Sequence, residues 1–110
     1  MAEIVDKATI LRLKIERIND PEKVAQARAE LDSLTVPDTG PFESVLYSIN
    51  AVLWDVEDKL RAMETENNFG SEFVLLARSV YFTNDLRSQV KSRIAKVLGE
   101  RLKEVKSYVK

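Results

Sequence analysis

PFESVLYSINAVLWDVEDKLRAMETE, residues Pro41–Glu66, decides the fold. Phe42, Val45, Ile49, Val52, Val56, Leu60 and Met63 return at steps of three and four, with Leu46 and Leu53 widening the line. That spacing stacks side chains on one face of a 3.6-residue helix, whereas a half-buried strand alternates every second residue. Pro41 opens the segment with a preset φ, and Asn67-Asn68-Phe69-Gly70 closes it. A helix of this length is about 35–40 Å long and needs apolar cover along all of it.

Working toward the N-terminus, Thr35–Pro41 reads as a loop. The segment Pro21–Leu34 reads as a short helix facing inward through Val24, Ala27, Leu31 and Leu34. Asp20 caps it, Pro21 takes its first position, and Glu22 sits at the positive end of the helix dipole. A first helix is expected over Glu3–Asn19, its stripe formed by Ile4, Ala8, Leu11, Ile15 and Ile18. Ile10 and Leu13 fall off that stripe and imply cover on a second side. Of its polar residues Asp6, Lys7, Thr9, Lys14, Glu16 and Arg17, most are expected on a solvated face.

Toward the C-terminus, Ser71 opens a fourth helix expected to end at Gly99. Its apolar line shifts midway. Phe73, Leu76 and Val80 define one azimuth, while Leu86, Val90, Ile94 and Val97 define another, about 80° round at 100° per residue. The helix therefore breaks near Thr83-Asn84-Asp85 or changes packing partner there. Leu102, Val105, Tyr108 and Val109 continue a loosely helical spacing. The expected architecture is all-α: a single-domain antiparallel bundle of about four helices over residues 1–110, the two long helices C-terminal.

Composition bounds the chemistry. With no cysteine and no histidine, disulfides, thiolate chemistry and the commonest general base and metal ligand are removed. No cofactor or metal is expected. Basic and acidic residues nearly balance, at 17 and 18, which argues against nucleic acid as a partner. No apolar run approaches the roughly 20 residues of a membrane span, and no signal-peptide core opens the chain. A cytoplasmic protein is expected. The two long helices leave apolar length that two short ones do not cover, so a homodimer, or another protein partner, is expected.

Polar residues that interrupt the apolar lines are the candidate site. Asn50, Glu57 and Glu64 repeat every seven residues along one edge of the third helix, with Trp54 and Arg61 beside them. Glu57 and Arg61 stand four apart and in the orientation that favours an ion pair. On the fourth helix Asn84, Arg87 and Lys91 share the azimuth of Val80, Ile94 and Leu98. Polar groups on a core line are costly unless satisfied, so these residues return to the surface at a break or meet carboxylates of Glu57, Glu64 or the first helix. Arg78, Tyr81, Asn84, Arg87 and Lys91 also make a set suited to phosphate or carboxylate.

Two blocks, DKATILRLKIERINDPEK (Asp6–Lys23) and INAVLWDVEDKLRAMETENNFGSEFVLLARSVYFTNDLRSQVKSRI (Ile49–Ile94), followed by EVKSY from Glu104, resemble a family of small bacterial proteins classed as a domain of unknown function. The resemblance implies recurrence of Trp54, Glu57, Arg61, Arg78, Tyr81, Asn84 and Arg87, and a setting beside glycosyltransferase or surface-polysaccharide genes. Members carry an acidic residue where this chain has Arg12. Two functions follow as expectations. One is a self-associating helical interaction module, accessory to polysaccharide or glycosyl-transfer enzymes. The other is a small enzyme or binder for a phosphorylated or carboxylated metabolite, built on the Arg/Lys/Glu cluster between the third and fourth helices.

Overall fold

Gly40 stands at φ +61°, a conformation that only glycine adopts without strain, and it turns the chain into the helix begun by Pro41. In the computed structural model, which describes the backbone of residues 1–108 and the side chains of residues 1–99, the chain forms α1 (Ala2–Arg17), α2 (Pro21–Ser33), α3 (Pro41–Thr65) and α4 (Ser71–Tyr108). Among the described residues there is no strand. The all-α bundle with two long C-terminal helices is the observed architecture.

Local signals act where the sequence places them. Asp20 accepts a hydrogen bond from the Glu22 amide at 3.0 Å, and Pro21 holds the first position of α2. The α3 C-terminus closes with Asn67 at φ +55°. The Asn68 amide donates to Met63 and the Asn67 amide to Glu64, at 2.9 and 3.1 Å. This is the paired bonding that satisfies the last carbonyls of a helix. Phe69 and Phe73 then pack edge to face at the hairpin tip, 5.2 Å between ring centres.

Helix α4 resolves one alternative and corrects one expectation. It runs unbroken through Thr83-Asn84-Asp85, and it does not end at Gly99 but continues to Tyr108. The azimuth shift marks a change of packing partner. Antiparallel α3 lies against α4, and the C-terminal part of α4 also meets α1, where Ile94 and Leu98 join Ala2, Val5 and Leu46 in one buried cluster. The side chains of Leu102, Val105, Tyr108 and Val109 lie outside those the structure describes.

Helix α1 is covered on two sides. Its expected stripe faces α2, with Leu11 and Ile18 standing across from Ala27. A second stripe of Ala2, Asp6, Thr9 and Leu13, with Val5 beside it, is buried as well. It faces α3 and α4, as the contacts of Asp6 and Thr9 with Asn50 and of Asp6 with Arg87 show. Asp6 and Thr9 are therefore interior, not solvated.

On α3 the buried positions are Leu46, Asn50 and Leu53. Val45 and Val52, expected in the core stripe, are exposed, because α1 lies against the opposite flank of this helix. The α3–α4 hairpin thus has one side against α1 and one bare side. The Cα envelope measures 63 × 33 × 16 Å, so the bundle is a thin slab.

Candidate functional site

The junction of α1, α3 and α4 is built around one buried carboxylate. Asp6 lies on the inner stripe of α1 at 5% exposure. Its Oδ1 accepts from Arg87 Nε at 3.1 Å and from Asn50 Nδ2 at 2.9 Å. Its Oδ2 accepts from Arg87 Nη2, completing the two-pronged contact that a guanidinium and a carboxylate make best. Asn50 Nδ2 also reaches Thr9 Oγ1 at 2.9 Å, while that hydroxyl donates to the Asp6 carbonyl at 2.7 Å. Lys91 stands 3.1 Å from Glu3 and 3.9 Å from Asp6.

These contacts set the electrostatics. Burial pushes the Asp6 carboxyl up, but hydrogen bonds from Arg87 and Asn50 and the charges of Arg87 and Lys91 outweigh it and hold the group below its usual value. The Arg87 guanidinium is correspondingly raised, chiefly by its bond to Asp6. Lys91 lowers the exposed Glu3 carboxyl in the same way. Both cations of the α4 line are thus matched by carboxylates of α1.

Outside this network lies a shallow cleft of about 230 Å³ lined by Ile10, Leu13, Asn50, Leu53, Trp54, Glu57 and Arg87. The structure brings Trp54, Glu57 and Arg87 to this cleft and sets Lys91 against α1. Arg61, Glu64, Arg78, Tyr81 and Asn84 are exposed and do not line it. The Glu57–Arg61 ion pair expected from their spacing is not formed among the described residues. Metabolite pockets usually enclose about 300–1,000 Å³, and the guanidinium at this rim already spends Nε and Nη2 on Asp6. Among the described residues no group of three acidic side chains stands close enough to hold a metal.

Asp6 and Thr9 are the site members that sequence reasoning missed. A signal was present: Ala2, Asp6, Thr9 and Leu13 follow one another at steps of four, three and four, a second helical stripe masked by its two polar members. Three more ties bind α1 to α3 at the surface, Arg12 to Glu43, Arg17 to Asp55, and the Tyr47 hydroxyl donating to Glu16. Arg12 thus has an acidic partner on α3.

Among the described residues no helix is long and apolar enough to cross a membrane. Neither a curated protein nor a solved structure matches the chain. Residues 1–109 match the family of unknown function DUF6165, and the chain belongs to that family.

Proposed function

We propose that the chain is a self-associating helical interaction module, and that the Asp6–Asn50–Arg87 network is the architecture that holds its docking face in place. One observation carries this reading. Val45 and Val52 on α3 and Leu75, Phe82 and Leu86 on α4 are all 44–65% exposed. At about 100° per residue, Leu75, Phe82 and Leu86 share one line within about 40°. That line lies on the flank of α4 away from Arg87 and Lys91, which turn to α1. Val45 and Val52 likewise lie on the flank of α3 away from Asn50. All five therefore crowd the side of the hairpin that α1 leaves bare.

A hairpin face about 38 Å long and 20 Å wide presents close to the roughly 800 Å² that each side of a stable interface covers. A second copy is the occupant of matching length and apolar character, and stacking two hairpins completes a four-helix bundle. A use beside glycosyl-transfer enzymes would be a role of that assembled form in the cytoplasm.

Sedimentation velocity of the full chain tests the reading. The expected result is a dimer at micromolar concentration that Phe82→Asp converts to a monomer with unchanged helicity. A wild-type chain that stays monomeric to about 100 µM, about a hundredfold above the 1 µM Kd that corresponds to about −8 kcal/mol, would assign the bare face to a different helical partner.

A further inference from the structure

Resting on the self-association proposed above, we infer that the second copy docks with its α4 antiparallel to this chain's α4, about a two-fold axis that passes beside Phe82. Two charges on α4 are left free by the fold. Arg78 and Asp85 are both exposed, and neither has an ion pair among the described residues. Seven residues apart, they occupy the same flank of the helix, about 20° apart in azimuth.

A two-fold axis perpendicular to a helix sets each residue opposite the one equally far beyond the axis in the other copy. It also sets like flank against like flank. The midpoint of Arg78 and Asp85 falls between Tyr81 and Phe82. Glu72 and Arg93, both exposed as well, bracket the same point, with their midpoint between Phe82 and Thr83. One placement of the axis therefore centres Phe82, 63% exposed, and matches opposite charges on both sides of it. It sets Arg78 against Asp85 on one flank, a pair made twice by symmetry, and brings Glu72 level with Arg93, about 60° round the helix. Parallel pairing in register would set Arg78 against Arg78 and Asp85 against Asp85, which like-charge repulsion disfavours.

This geometry makes a charge-exchange experiment decisive. In Arg78→Asp, each copy would face its partner with carboxylates at 78 and 85. In Asp85→Arg, both positions would be cationic. Each variant alone is expected to dimerise at least about tenfold more weakly than wild type. Mixed in equal amounts they are expected to form a one-to-one heterodimer, visible by native mass spectrometry, because both contacts are then opposite in charge. The double variant Arg78→Asp/Asp85→Arg is expected to recover self-association. If both single variants dimerise like wild type, or the mixture shows no preference for the heterodimer, the antiparallel register is overturned. A dimer that is still lost in Phe82→Asp would in that case keep the docking face and discard only the register. Circular dichroism of each variant separates loss of pairing from loss of fold, since both positions are solvent-facing on a continuous helix.

Discussion

Asp6 and Arg87, 81 residues apart in sequence, meet through two hydrogen bonds that tie the first helix to the last. Asp6 is buried and Arg87 is about a third exposed, so removing the arginine strands a carboxylate with little access to water. Arg87→Ala is expected to cost about 3 kcal/mol, at the lower end of values for breaking a buried pair because of that partial exposure. Urea denaturation checks it. The double variant Asp6→Leu/Arg87→Met, which removes both charges, is expected to lose less than Arg87→Ala alone.

The acid limb of the stability curve should belong largely to Asp6. Its carboxyl is held below the usual value in the folded chain, so the folded state binds that proton less readily than the unfolded one. The resulting stability is fully present above the unfolded value of about 4 and is lost as pH falls through the lower folded value. Thermal melts between about pH 7 and 2 are expected to show a shallower acid decline in Asp6→Asn than in wild type.

Asn50 donates to both Asp6 and Thr9, a role that an isosteric carboxylate reverses. Asn50→Asp is expected to be destabilised by about 2 kcal/mol at neutral pH, because two carboxylates would share one buried site. Part of that loss should return near pH 5, as one proton comes to be shared between them. Melts of the variant at the two pH values check the sign.

Two glycines are expected to respond in opposite directions. Gly99 lies within α4 with open space where a Cβ would stand, so Gly99→Ala should stabilise by about 0.5–1 kcal/mol. Gly40 also has open space, but its φ of +61° strains any other residue, and Gly40→Ala should destabilise by about 1 kcal/mol. Chemical denaturation of both variants under one set of conditions makes the comparison direct.

The contrast between these glycines shows what was legible in the sequence. Caps and stops written in adjacent residues, such as Asp20-Pro21 and the asparagines after α3, were readable because their bonding is local. Gly99 carries the same local signal, yet there helical hydrogen bonding continues through it. Which flank of α3 is buried was not readable. That helix has apolar residues over more than half its girth, and the choice between Val45/Val52 and Leu46/Leu53 is made by where α1 lies. The polar line of Arg87 and Lys91 was visible as an anomaly on α4. That its partner could be a carboxylate of the first helix was legible too, but not that it is Asp6, because a carboxylate on a helix reads as solvated until the arginine that faces it is placed.

The pairing of Asp6 with Arg87 also sets the order in which the chain is completed during synthesis. The stripe of α1 that faces α2 finds its cover as soon as Ser33 has left the ribosome. The stripe bearing Asp6 and Thr9 is completed only by Arg87, which at about 5–20 residues per second arrives about 3–11 seconds later. Until α3 emerges the nascent chain is a two-helix fragment with one flank dressed and one bare, and until α4 emerges Asp6 lacks its arginine. A chain arrested before α4 is accordingly expected to be cleaved readily within α1, and one arrested after α4 has emerged to resist.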